Sequence, residues 1–385
     1  MRFADNRNKI GKYIPAVVFL IFIYGMALWF IFSPKPDYSS SEKRYLQKFP
    51  EVTAEKLLSG DFGSEFETFF ADRFPQRNTW VGLNAYTALA EGNNGASGVY
   101  NCKNGYLINK PVSTENNLDK NIGAVADFAK SIGTPTTVML VPSTGYIVDD
   151  VLPTFHDKYN DDEDISKISS TLSKDKIGFV DLRERFKSEY KNGSQIYYKT
   201  DHHWTTKGAY TGYQELCKAL GITPIDDSTL KKDSYPDFYG TTYSSSGFWL
   251  TPPDNIEIWN NPKNSDRNIS VKITEGANIK TSGSMYFTDH LKEDDKYPVF
   301  IDGNHALTEI TNTNAKNGTI LLIKDSFSHS LAPFLAENYS KVVLVDLRYY
   351  KESVSDLVTT YNPEQVVVLY GIDNLATDTD IVWLK

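Results

Sequence analysis

The chain has 385 residues, 40% of them apolar, which is enough for one large domain with a stem, or for two domains, around a real core. A formal net charge of −9 argues against the basic face that nucleic-acid binding requires. Aromatic residues reach 13%, an excess that suits either a surface stacking on sugar rings or an aromatic-rich core.

The first element is the uncharged run Tyr13–Phe32, about the length needed to cross a bilayer core. Arg2, Arg7, Lys9 and Lys12 precede it, and the positive-inside rule then makes 1–12 a cytoplasmic tail. Residues 13–32 become a single-pass anchor in the cell membrane, with the remaining chain extracellular. A cleaved signal peptide is the competing reading. Its apolar core would be shorter and followed by small residues, whereas this run ends in Trp29-Phe30-Ile31-Phe32-Ser33-Pro34.

Residues 33–41 are rich in Ser and Pro and read as a linker, and 54–92 read as helices broken at Arg73-Phe74-Pro75; together 33–96 form a linker and helical stem. Residues 97–385 read as the main domain. Asn104-Gly105 between two apolar runs marks a hairpin. Short, near-continuous apolar strands follow at 137–141, 177–181, 320–323, 342–345 and 366–369. Helices are expected at 117–131, 182–190, 206–220, 327–339 and 353–360. Buried strands alternating with helices predict an α/β fold with a largely parallel sheet flanked by helices. Between about 221 and 317 the rhythm stops, and that stretch reads as an insertion rich in short strands and loops. Cys217 shares a helical apolar stripe with Tyr210, Tyr213 and Leu220 and is expected as a buried thiol; a disulfide to Cys102 is the alternative.

Ligands of open parallel sheets bind beyond the carboxyl ends of the strands. Two segments fall there. Ser326 follows the strand at 320–323 and opens the next helix, where backbone N–H groups can hold a developing oxyanion. A serine nucleophile needs a base, and His203 is the candidate, with Asp201 fixing its tautomer. In an extended segment, D-x-H spacing points both side chains the same way and His202 the other. Each segment alone also reads as helix capping. His329 is a rival base, otherwise an exposed helical histidine; Ser328 is a rival nucleophile. Asp201, His202 and His203 are metal-ligand types, but opposed histidines make poor joint ligands, so neither metal nor cofactor is expected.

Asp201-His202-His203-Trp204 resembles the signature of the DHHW protein family, related to the AlgJ/AlgX-type alginate O-acetylation proteins. Ala71–Arg77, Gly98-Val99-Tyr100, Gly303-Asn304, Lys324-Asp325-Ser326-Phe327 and Asp346-Leu347-Arg348 match in order. The resemblance implies an SGNH-hydrolase-like fold with Asp201 and His203 as acid and base and Ser326 as nucleophile. It also implies Arg348 and Asn304 as oxyanion or substrate residues, and O-acetyl transfer to, or removal from, an extracellular polysaccharide. A membrane-bound O-acyltransferase would supply the acetyl group. A non-catalytic polysaccharide-binding or assembly protein on the same fold is the alternative.

Overall fold

The computed structural model describes residues 2–39, 41–112 and 117–384, and the chain divides into two compact units between Thr87 and Ala88. In the first, helix α1 (Arg2–Phe32) carries the apolar run; no residue of Tyr13–Phe32 is buried, and its length matches a bilayer core. The side chains of Arg2, Arg7, Lys9 and Lys12 lie outside the described residues. The stem holds α2 (Ala54–Ser59), α3 (Asp61–Asp72) and α4 (Arg77–Ala90). The segment from Pro36 to Gln47, which overlaps the stretch read as a linker, is pinned to the end of α3. Buried Asp72 accepts from Arg44 Nη1 (2.9 Å) and the Gln47 N–H (2.9 Å), and buried Arg73 donates to the carbonyls of Gln47 and Pro36.

In the second unit a hairpin, β1 (Val99–Asn101) and β2 (Leu107–Asn109), turns through Asn104 and Gly105, both at positive φ as the Asn-Gly signal requires. Helix α5 (Leu118–Ile132) leads to β3 (Thr136–Val141), then α6 (Asp161–Lys174), β4 (Gly178–Asp181), α7 (Arg183–Lys191) and α8 (Thr206–Leu220). Strands β5 (Lys231–Phe238) and β6 (Asp254–Asn260), with the short helix α9 (Thr241–Ser246) between them, form a separate antiparallel pair. Next come β7 (Ile269–Glu275), β8 (Asn278–Ser282), β9 (Leu307–Asn312) and β10 (Asn317–Lys324). Helix α10 (Ser328–Leu335), β11 (Tyr339–Val345), α11 (Val354–Tyr361), β12 (Gln365–Gly371) and α12 (Ile372–Thr377) complete the unit.

Among the described residues the main sheet runs β8-β7-β9-β11-β10-β12-β3-β4. The strands from β11 to β4 are parallel, as their continuous apolar runs predicted, and they are buried by apolar clusters on both faces. The stretch read as an insertion is only partly one. Strands β7, β8 and β9 extend the main sheet as antiparallel edge strands, β9 pairing with β11. Ile269, Val271 and Ile273 alternate inward along β7, a period-two signal diluted by polar neighbours. The helix expected at 327–339 ends at Leu335, and Tyr339 already begins β11. Every residue of α10 is buried, so no polar face marked its end. Helix α6 gave no strong apolar stripe; its first turn is all acidic, which favours a helix N-terminus, and it buries Ile165, Ile168 and Leu172. Cys102 and Cys217 are both buried free thiols, pushed up to about 12 by burial.

Candidate active site

Strand β10 ends at Lys324, and the turn that follows is fixed by a buried carboxylate. Asp325 accepts from the Phe327 N–H (3.0 Å), the Gly371 N–H (2.7 Å) and Asn374 Nδ2 (2.7 Å), which lifts Ser326 past the carboxyl edge of the sheet. A Cβ on Gly371 would stand 2.6 Å from the Phe327 ring, so this packing needs glycine. The helix-start donors expected to face an oxyanion are engaged elsewhere. The Phe327 N–H binds the Asp325 side chain, and the Ser328 N–H binds the Asp325 carbonyl at 3.3 Å.

The D-x-H segment is a bent loop rather than an extended run. Tyr197 and Trp204 bridge across its base, and the Tyr198 N–H binds the His203 carbonyl. Asp254 clamps the approach, accepting from the N–H groups of Lys199 and Thr200, from Thr200 Oγ1 and from Gln195 Nε2. The bend brings Asp201 and His203 together, but it also corrects the expectation for His202. The two imidazoles pack against each other at a tilt of 36°, 3.9 Å between centroids, and His202 Nδ1 meets Thr241 Oγ1 at 2.7 Å.

Across 123 residues of sequence, His203 Nε2 lies 2.7 Å from Ser326 Oγ, and His203 Nδ1 lies 2.5 Å from Asp201 Oδ1. All three side chains are buried, Ser326 the least so at 9% exposure. Asp201 Oδ2 accepts from the Thr241 N–H (2.6 Å), a contact possible because Gly240 presses against Asp201, where a Cβ would lie 2.1 Å from the Asp201 Cβ. With the proton on Nδ1 donated to Asp201, Nε2 is the acceptor for the serine hydroxyl. This is the arrangement that removes a hydroxyl proton as the oxygen attacks a carbonyl. Trp204 ties the two segments together: its indole N–H donates to the Phe327 carbonyl (3.0 Å) and to Ser330 Oγ (2.9 Å). Tyr297, which carried no signal in the sequence, stacks on His203 at 3.9 Å and 10°, and its hydroxyl donates to the Ser326 carbonyl.

Behind the serine turn lies a buried charged network. Lys324 Nζ donates to Asp346 Oδ2 (2.9 Å) and to His329 Nε2 (2.8 Å). His329 is therefore not the exposed histidine expected; it is 1% exposed and occupied by Lys324. Burial first, and the Lys324 cation second, hold its imidazole well below the usual histidine range, so it stays neutral. Ser328 is fully buried, its hydroxyl without a partner among the described residues. Arg348 and Asn304 are drawn into the same network rather than to the serine. Arg348 donates twice to Asp346, at 2.8 and 2.6 Å, and once to Asn304 Oδ1, at 2.9 Å.

The ligand-type atoms of Asp201, His202 and His203 lie within 4.8 Å of one another, closer than opposed histidines would allow. Those of Asp201 and His203 are already in hydrogen bonds. Asp201 Oδ1 accepts from the His203 N–H and Nδ1, Oδ2 accepts from Thr241, and His203 Nε2 faces Ser326. A metal there would have to displace the serine hydrogen bond.

Residues 112–345 match the model of the DHHW protein family. A DHHW family protein of Eubacterium siraeum shares the fold at TM-score 0.63 and 18% identity, over 75% of this chain and 95% of its own. PatB1 of Bacillus cereus, solved with a sulfonyl adduct, does so at TM-score 0.62 and 21% identity, over 74% of this chain and 97% of its own. Among curated proteins none matches. These likenesses show the mixed α/β fold.

Proposed function

The chain belongs to the DHHW protein family, and we propose that it moves O-acetyl groups on an extracytoplasmic polysaccharide through an acyl-serine at Ser326. The observation that carries this reading is the continuous path Ser326–His203–Asp201 at 2.7 and 2.5 Å. Ser326 Oγ attacks the ester carbonyl while its proton passes to His203 Nε2. The donor oxygen leaves with that proton, and the acetyl stays on Ser326. An acceptor hydroxyl then gives its proton to His203 and takes the acetyl, restoring the serine. A sugar hydroxyl as acceptor makes the protein a transferase, and water makes it an esterase. As a transferase it takes acetyl from a membrane-bound O-acyltransferase partner.

The full chain in detergent micelles should hydrolyse p-nitrophenyl acetate, and chelation should leave the rate unchanged, because the Asp201, His202 and His203 donors are held in hydrogen bonds. Loss of the activity on chelation, restored by a divalent ion, would replace the serine reading with a metal site. Absence of any hydrolysis or transfer would favour a binding protein.

Tyr13–Phe32 serves in this reading as a single-pass anchor with a cytoplasmic N-terminus, supported by the basic residues before it. Protease added outside intact cells should digest the body and leave a membrane fragment ending near Phe32. A fully protected body would reverse the orientation, and a mature chain starting after the run would make it a cleaved signal.

A further inference from the structure

A pocket opens beside the serine turn, beyond the carboxyl ends of β3 and β12, where open parallel sheets bind ligands. Phe327 and His202, the neighbours of Ser326 and His203, form one side of it. Ile108 and Val141 add apolar wall, and Ser143, Thr242 and Asp373 add polar groups; among the described residues no lysine or arginine lines it.

Two polar atoms there are unsatisfied by the protein. Thr242 is 2% exposed, and its hydroxyl has no hydrogen-bond partner among the described residues. Buried hydroxyls are rarely left so, and an ordered water or a ligand group supplies the missing partner. Asp373 accepts from Ser143 Oγ through Oδ1 (3.1 Å), while its Oδ2 makes no hydrogen bond among the described residues. The Ser143 N–H in turn donates to buried Asp161 at 2.7 Å, so one serine links two carboxyl groups. Burial lifts both, with Asp161 adding to the rise of Asp373 and Asp164 to that of Asp161: Asp161 is raised to about 6 and Asp373 to about 7. Near neutral pH the pair therefore carries negative charge that no cation in the pocket balances.

We propose that this pocket seats an uncharged, hydroxyl-bearing sugar unit of the acceptor polysaccharide, with Thr242 Oγ1 and Asp373 Oδ2 meeting its hydroxyls, and that the Asp161–Asp373 pair excludes uronic acid units. The word acceptor rests on the acyl-transfer reading; the pocket's preference does not. A sugar hydroxyl can donate to Asp373 and pair with Thr242, whereas a uronate carboxylate would bring a third like charge into a poorly screened site.

The test is equilibrium binding to the full Ser326→Ala chain in micelles, by calorimetry, of cellopentaose and its C6-oxidised counterpart, pentaglucuronate. Cellopentaose should bind, and pentaglucuronate should bind at least about tenfold more weakly. Thr242→Val, which keeps the shape and removes the hydroxyl, should weaken cellopentaose about fivefold or more. Asp373→Asn should shrink the difference between the two ligands to below about threefold by removing a charge. Equal affinity for the two oligomers, no binding of cellopentaose, or unchanged affinities in both variants would overturn the proposal. Since binding is read without turnover, failure of the ester assay would sink the acyl-transfer reading and leave this one standing.

Discussion

Ser326→Ala should abolish turnover of an acetyl ester, with a loss on the order of 10⁴-fold or more in kcat, because established triads lose about that much when the nucleophile goes. The fold should survive, since the hydroxyl's hydrogen bond is to His203 and the turn is held by Asp325 instead. His203→Ala should cost about as much, and the double variant little more than either, because the members act as one unit. Asp201→Asn should be nearly as severe for a reason visible in the hydrogen bonds. Both Asp201 oxygens accept from backbone N–H groups, Oδ1 from His203 and Oδ2 from Thr241. An asparagine must turn its NH₂ toward one of them, so either the imidazole tautomer or the loop geometry fails. His202→Ala should be intermediate, since the ring packs at a tilt against His203 and binds Thr241. A sulfonyl fluoride should label Ser326 and nothing else. Wild-type turnover in Ser326→Ala, or labelling of another residue, would refute the assignment.

The parts of this protein that could be read from sequence are those whose signal is local. The runs at 342–345 and 366–369 are apolar without interruption because neighbours bury both faces, and they became β11 and β12. Ser326 and the Asp201–Trp204 segment were legible because a short motif at a sheet edge carries chemistry in its residue types. What stayed hidden depends on partners remote in sequence. Tyr297 stacks on a histidine 94 positions earlier, from within a stretch that has no regular period. His329 looked like an exposed helical side chain, but β10 supplies a buried lysine that occupies it. An extended backbone would point His202 away from His203, whereas Asp254, far along the chain, clamps the approach to a bent loop that brings the two rings together. The stretch at 221–317 reads as short strands and loops, and only the pairing of β9 with β11 and of β7 with β9 places two of those strands in the main sheet.

Asp346→Asn should destabilise the protein by about 3–5 kcal/mol, the usual cost of breaking a buried ion pair by removing one partner. Asp346 is 0% exposed and Lys324 2% exposed, so without the carboxylate the buried Lys324 ammonium would lose its ion-pair partner and keep hydrogen bonds only to neutral groups such as His329. Lys324→Met should cost less, because Asp346 keeps two hydrogen bonds to Arg348 when the lysine is gone. Burial works against the Asp346 carboxylate, but Arg348 and Lys324 together outweigh it and hold its pKa below the ordinary aspartate value. A depressed carboxylate contributes stability that is present above its unfolded pKa, about 3.9, and lost as pH falls through the lower folded value. The gap between wild type and Asp346→Asn should therefore be full at pH 7 and narrow below about pH 4. Urea unfolding of the full chain in micelles, followed by tryptophan fluorescence at both pH values, measures it. If Asp346→Asn costs no more than Lys324→Met at pH 7, the network is not an ion pair in the working sense. Lys324 is two residues before Ser326, so slackening it should also loosen the serine turn. Ester turnover in Asp346→Asn should then fall even at temperatures where the chain remains folded, while Lys324→Met, which keeps the Asp346–Arg348 half of the network, should retain more of it.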